Sequence, residues 1–382
     1  MSPVERELVI LPIDPGGRGH STSGLQLLAP RIYGAYYTPR ARRPTTALVF
    51  MHPTSVFFDH YALEPLAAAG YGALGLNSRY LNNESGLIAE QVVLDLAAGV
   101  RFLREGGAEQ VVLVGNSGGG GLVSLYQSQA EQPTIRSTPA GDPPDLTRAE
   151  LPPIDGIITA AAHTGRAQVF TEYLDPSVLD ERDPLATDPA LDMYDRRNGP
   201  PYSPEFVTRY RTAQVERNRR ITAWARDTLA DLAERGDDPA RDIAFLVHRT
   251  VADPRFLDVA IDPSDRQPGT PWGDPSALNR AAIGIGRYTS PRSWLSQWGL
   301  ETSNMDGPKH IARVRVPVLV IDHGADQVCF PSHARAYYDA VAHGRKRFVR
   351  LEGAGHYLNG QPEILERLVG IVDGWLRQEC LA

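Results

Sequence analysis

Val111-Val112-Leu113-Val114-Gly115-Asn116-Ser117-Gly118-Gly119-Gly120-Gly121 decides the fold: an apolar, mostly β-branched run enters Gly-x-Ser-x-Gly, and a helix-length segment follows to about Ala130. A serine on so sharp a strand-to-helix turn is forced into strained backbone angles. Glycines two residues to either side remove the side chains that would collide there. Gly115 and Gly119 meet that need, so the strand, turn and helix together single out Ser117 as a candidate nucleophile. The five-letter pattern alone would carry little weight. The same glycines do not spell Gly-x-Gly-x-x-Gly, which disfavours a dinucleotide site.

On either side of this stretch, short β-rich runs alternate with helix-length segments, as in a mainly parallel sheet with helices on its faces. Strands are expected at Arg31 to Thr38, Thr46 to Met51, Gly72 to Leu76, Gln110 to Gly115 and Ile154 to Thr159. Helices are expected at Tyr61 to Ala69, Glu90 to Glu105 and Gly118 to Ala130. In the second of these, Val92, Val93, Leu96, Val100 and Leu103 form one apolar stripe for a sheet face. From His163 to Arg315 the sequence turns Asp-, Arg- and Pro-rich, with one clear helix running from Ser203 as N-cap and Pro204 to a stop at Gly236. The alternation resumes with strand Val316 to Ile321, helix His333 to Ala342, strand Arg347 to Leu351 and helix Pro362 to Arg377. The spacing therefore predicts an α/β core from 1–162 and 316–382, interrupted by an insertion of about 150 residues at 163–315.

Composition narrows the function. The 382 residues carry 39 Lys+Arg against 46 Asp+Glu, a net charge of −7, which argues against a surface built to neutralise nucleic-acid phosphates. The only lysines, Lys309 and Lys346, do not follow glycine, so a Walker A phosphate loop is excluded. Cys329 and Cys380 are too few for a disulfide framework and stand in no metal-ligand spacing, and the histidines form no HExxH; no cofactor or metal is expected, and the cytoplasm is the expected compartment. The apolar run Leu8 to Ile13 is too short for a signal segment, and no run approaches the roughly 18 apolar residues of a membrane span.

A serine hydroxyl needs a base to accept its proton, and the base needs a carboxylate to fix its tautomer. Two strand ends supply both residue types. Val316 to Ile321 is followed by Asp322-His323-Gly324-Ala325-Asp326, and Arg347 to Leu351 by Glu352-Gly353-Ala354-Gly355-His356.

With these motifs in place, the sheet segments at about 30–162 and 316–378 resemble the α/β-hydrolase family, whose chain order is Ser, then Asp or Glu, then His. The resemblance implies Ser117 as nucleophile, Asp326 as acid and His356 as base. Asp322 is the rival acid; it stands where a strand is ending and more naturally caps the turn. The loop after β-run Thr46 to Met51, His52-Pro53-Thr54-Ser55, looks like the family's His-Gly-x oxyanion loop with Pro53 in place of glycine. Because proline has no N–H, the oxyanion donors implied are the amides of Gly118 and Thr54, with Ser55 second. His52 is read as a loop-fixing hydrogen-bonder.

In this family the segment before the acid-bearing strand commonly forms a cap, and 163–315 has that position. It holds Trp224, Trp272, Trp294 and Trp298. Ser55, Asn116, His163, Trp294 and Trp298 are expected to line the substrate pocket. The function expected is a serine esterase or lactonase acting on an apolar or aromatic small molecule, without nucleic-acid or membrane-spanning partners; the oligomeric state is left open, a homodimer included. Amidase, peptidase or acyltransferase chemistry could use the same residues, and a non-catalytic binding protein could reuse the fold.

Overall fold

In the computed structural model, which describes residues 3–16, 29–236 and 242–382, the apolar run ahead of Ser117 is fully buried and forms an inner strand of an eight-stranded sheet. The strands are β1 (Val4–Pro12), β2 (Arg31–Pro39), β3 (Thr46–His52), β4 (Gly72–Asn77), β5 (Gln110–Ser117), β6 (Gly156–Ala162), β7 (Val318–His323) and β8 (Lys346–Leu351). Their order in space is β1-β2-β4-β3-β5-β6-β7-β8. The β1/β2 and β2/β4 pairs are antiparallel and every other pair is parallel, so β3 to β8 deliver their carboxyl ends to one edge.

Alternation along β5 explains why both faces are covered. Val111 and Leu113 pack with α2 (Ala89–Glu105), α3 (Gly119–Glu131) and Ala334 and Tyr337 of α6 (Pro331–Ala340). Val112 and Val114 pack on the other face with α1 (Leu63–Ala68) and with Leu368, Val372, Trp375 and Leu376 of α7 (Pro362–Gln378). Strands buried on both sides read as continuous apolar runs, which is why the inner strands were visible in the sequence. β1 was not anticipated as a strand. It is an edge strand on which Val9 and Leu11 are buried while Leu8 and Ile10 are exposed, so apolar residues on both faces hide its alternation in the sequence.

Between β6 and β7 lie α4 (Arg166–Tyr173), a hairpin of Val178–Asp180 with Asp183–Thr187, the 31-residue α5 (Pro204–Glu234), a helical turn at Trp294–Trp298 and a short helix at Gly307–Ile311. The sequence signals for α5 hold: the Ser203 hydroxyl accepts from the Phe206 amide at 3.2 Å, Pro204 takes the first helical position, and Gly236 follows the end with φ +69°. This helix buries polar as well as apolar side chains. Arg217 has no exposed surface and donates to both carboxylate oxygens of Glu181 at 2.7 and 2.6 Å and to the carbonyls of Asp175 and His248 at 2.8 and 2.7 Å.

Removing the buried guanidinium strands the Asp175 and His248 carbonyls and the half-buried Glu181 carboxylate. Arg217→Met is therefore expected to lower unfolding free energy by about 3 kcal/mol. Arg217→Lys should recover little of this, because an ammonium cannot reproduce the two-pronged contact. Urea midpoints of the three proteins check this; equal stability of Arg217→Met and wild type would refute it.

Candidate active site

Ser117 ends β5 with φ +54°, in the left-handed region that a residue with a β-carbon avoids. The register between β5 and β6 shifts at this point, pairing Asn116 with Ala160 but Ser117 with Ala162. The turn closes only because its flanks lack side chains. A β-carbon at Gly115 would lie 2.7 Å from the Gly120 Cα, and one at Gly119 would lie 2.6 Å from the Met51 carbonyl oxygen. The strained elbow inferred from the sequence is thus present in the backbone.

Asp326 and His356 arrive on the loops after the adjacent parallel strands β7 and β8. Those loops are bound to each other: the Gly324 amide donates to the Leu351 carbonyl at 2.8 Å, the Ala325 amide to the Ala354 carbonyl at 2.9 Å, and His323 Nδ1 pairs with the Gly355 carbonyl at 2.9 Å. Asp326 Oδ2 stands 2.7 Å from His356 Nδ1, and Oδ1 accepts the Val328 and Cys329 amides at 2.7 and 2.9 Å. Burial alone would raise the Asp326 pKa, but His356 and the Cys329 amide outweigh it and hold the carboxyl below its usual range. An ionised carboxylate can only accept, so His356 Nδ1 carries the shared proton and Nε2 presents a lone pair.

Cys329 lies beside this pair. Its sulfur, an Asp326 oxygen and a His356 nitrogen all lie within 4.8 Å of one another, and Ser117 is among the groups that act on the thiol. Burial, followed by the Asp326 charge, pushes the thiol well above its ordinary pKa, so it is a protonated neighbour and not a thiolate. The same three residues are the only cluster among the described residues with metal-ligating types in reach. Asp326 already spends its oxygens on two amides and His356, which makes the set a poor cation cage.

Asp322 lies elsewhere. It is buried at the end of β7 with Arg350 at 3.8 Å, and burial, only partly offset by Arg350, raises its pKa to about 6.

The loop after β3 departs from expectation. The Thr54 and Ser55 amides, anticipated as oxyanion donors, both donate to Nδ1 of His52, at 3.1 and 3.0 Å. The Thr54 assignment is therefore corrected: its N–H is consumed within its own loop, because a preceding proline turns the chain back over the imidazole. Asn77 and Ser78 brace this loop by accepting from the Phe57 amide at 2.7 Å and donating to the Pro53 carbonyl at 2.5 Å. The loop sets His52 over Gly118, where a β-carbon would meet His52 Nε2 at 2.7 Å and His163 Nε2 at 3.4 Å.

The remaining pocket candidates divide. His163 is brought to Gly118 as expected, buried, with Nδ1 unpartnered. Ser55 is exposed on the His52 loop. Asn116 is corrected: its amide donates to the Ala160 carbonyl at 2.9 Å, and the residue borders a cavity of about 10 Å³ on the α1/α7 face, because it alternates with Ser117. Trp294 and Trp298 are corrected too. Both are buried with Phe170, Ile221 and Leu295, and Trp294 Nε1 donates to Thr222 at 2.9 Å, so they form the core of the 163–315 segment. The aromatic pair that the sequence did not single out is Trp272 and Tyr357. Both are about 40% exposed, joined by a 3.3 Å hydrogen bond, with the Tyr357 ring 4.6 Å from that of His356. Adjacency to His356 was the available signal for Tyr357; nothing marked Trp272 from the other tryptophans.

Comparison with known proteins agrees with this architecture. A solved structure of DcsB in complex with a substrate analogue superposes with a TM-score of 0.52 at 12% identity, covering 98% of this chain and 99% of that one. The esterase domain of a Rhodothermus marinus protein aligns over 98% of both chains at 14% identity and a TM-score of 0.48. The fold is that of the α/β-hydrolases. No family model matches the chain. An uncharacterised 31.7 kDa protein from the traX-finO intergenic region of Escherichia coli is 32% identical over 79 residues, which is 21% of this chain and 28% of that relative. Among the described residues no helix of this α/β-hydrolase fold is long and apolar enough to cross a membrane.

The raised pKa of Asp322 generates a stability test. The folded state keeps its proton to about pH 6, whereas the unfolded chain releases it near pH 3.9, so this group's contribution is greatest below about pH 4 and declines as pH rises to about 6. Asp322→Asn should remove that decline and be more stable than wild type at pH 7, by on the order of 2 kcal/mol. The two should be alike at pH 4. Denaturant midpoints at the two pH values measure it, and a loss of stability at pH 7 would contradict it.

Proposed function

We propose that the protein is a serine hydrolase that cleaves carboxylic esters or lactones through an acyl-enzyme on Ser117. The reading rests above all on one observation: a buried Asp326–His356 hydrogen bond of 2.7 Å, on the same edge of the sheet as a serine held at φ +54°. An ionised aspartate, an imidazole with its free lone pair and a strained serine are what acyl transfer requires.

In the first step Ser117 Oγ attacks the ester carbonyl while His356 Nε2 takes its proton, and Asp326 stabilises the imidazolium that forms. The Gly118 amide, first in the chain after the nucleophile, donates to the developing oxyanion. Collapse expels the alcohol, which receives the proton from His356. A water activated by the same nitrogen then attacks the acyl carbonyl and releases the acid with Ser117 restored.

Residues 163–315 serve as a cap over this edge of the sheet. The Asp265 amide donates to the Gly324 carbonyl at 2.8 Å, and Gln327 Nε2 donates to the Gln267 carbonyl at 3.0 Å, which ties the segment to the acid loop. Apolar or aromatic substrates fit the exposed Trp272 and Tyr357 rings beside His356 better than the buried Trp294 and Trp298.

A fluorophosphonate should label Ser117, and Ser117→Ala should abolish labelling and reduce ester turnover by on the order of 10⁶. Asp326→Asn should cost on the order of 10⁴ in kcat, and Asp322→Asn far less. Labelling at another serine, or the reverse order of the two aspartate variants, would sink the assignment.

A further inference from the structure

We propose that His52 is a catalytic residue whose Nε2–H is the second donor to the oxyanion, in place of a backbone amide of the loop after β3. The proposal rests on the serine-hydrolase reading above and names the donor which that reading leaves open.

Elimination gives the first step. A tetrahedral oxyanion beside the Gly118 amide needs further donors from the facing loop. Pro53 has no N–H, and the Thr54 and Ser55 amides are both spent on His52 Nδ1, at 3.1 and 3.0 Å. Residues 53–55 therefore have no backbone donor to offer.

The same two bonds fix the chemistry of the ring. A nitrogen that accepts two amide protons carries none of its own, so the proton of the neutral imidazole sits on Nε2. The ring is kept neutral by burial, and then by the positive field of Arg166 and the neighbouring His163 and His356. With its proton on Nε2 the ring cannot take the proton of Ser117, which leaves that task to His356. His52 is thus a donor of fixed tautomer.

Placement supplies the last step. His52 Nε2 lies 2.7 Å from the position a β-carbon would take on Gly118, the residue whose amide follows the nucleophile. Among the described residues Nε2 has no hydrogen-bond partner, although the side chain is mostly buried. The ring plane is held by Phe57, stacked at 5.5 Å between centroids, and Phe57 is itself pinned through its amide to Asn77 at 2.7 Å. A fixed donor without an acceptor, against the residue after the nucleophile, is preorganised for charge that appears only during reaction. When the Ser117 Oγ–carbon bond forms, the carbonyl π pair moves onto oxygen. His52 donates a hydrogen bond to that oxygen and keeps its proton throughout.

Two substitutions separate this role from loop fixing. Asn places an acceptor near the Nδ1 position and has nothing at Nε2, whereas Gln places an amide donor near Nε2 and loses the Nδ1 acceptor. His52→Asn is expected to reduce kcat on a p-nitrophenyl ester by about 10² to 10³ with KM changed by less than about fivefold. It should weaken a trifluoromethyl ketone, which forms an oxyanion on Ser117, by a similar factor. His52→Gln should be at least tenfold more active than His52→Asn. If His52→Asn keeps wild-type kcat and ketone affinity while wild type is labelled at Ser117 by a fluorophosphonate, this proposal fails and the hydrolase reading stands. If His52→Gln is the weaker of the two, the ring serves the loop alone and the proposal also fails. No labelling and no ester turnover by wild type would overturn the hydrolase reading and this one with it.

Discussion

The contact between Asp326 and His356 sets the terms for the rest of the site. It joins two loops that the parallel pairing of β7 with β8 brings side by side, and three main-chain or ring hydrogen bonds between those loops hold the spacing before either side chain is considered. Burying a carboxylate is costly unless its lone pairs are filled. Here two amides and an imidazole fill them. The carboxyl is consequently kept ionised in the interior, and its charge adds to burial in keeping the Cys329 thiol protonated. One satisfied acid thereby fixes the tautomer of one neighbour and reinforces the protonation of another.

On the opposite side of Ser117 the polarity is reversed. His52 and His163 flank Gly118, both pushed well below the ordinary histidine pKa by burial first, and Arg166 adds to the effect at each. Arg166 is itself buried and answered by Glu84 at 2.5 Å and Gln297 at 3.1 Å. The Gly118 side of the site thus carries two neutral imidazoles backed by a guanidinium, whereas the His356 side carries the Asp326 carboxylate.

The chemistry carried by local backbone was legible in the sequence, and the chemistry carried by side-chain facing was not. Gly115 and Gly119 are required by the elbow itself; two strand ends offered Asp322, Asp326 and His356, and the choice of Asp326 and His356 among them came from the resemblance to the α/β-hydrolase chain order. Thr54 failed because the destination of an amide depends on where the chain turns after Pro53. Asn116 failed by a single step of strand alternation, which sends it to the face opposite Ser117. Trp294 and Trp298 failed because composition does not distinguish a ring that lines a pocket from one that fills the core of the segment around it. A change of composition set the segment 163–315 apart in the sequence, yet the bonds tying it to the Asp326 loop had no sequence signature.

Those bonds bear on how the segment can open. The 163–315 segment is joined to the sheet's own loops by buried or partly buried polar contacts of Arg166 with Glu84 and of Ser296 and Asn304 with Glu90 at 2.8 and 2.9 Å, and by exposed ones of Asp265 with the amide of Gly353 at 3.0 Å and with Arg350 at 2.9 Å. Glu90 is fully buried, so separating it from Ser296 and Asn304 as a dry event would strand a carboxyl whose pKa burial already raises. Breaking one buried charged contact costs several kcal/mol. Lifting the whole segment would break several together. Among the described residues Trp272 and Tyr357 are joined to each other by a single exposed hydrogen bond of 3.3 Å, so local opening between the two rings costs far less than hinge motion of the segment.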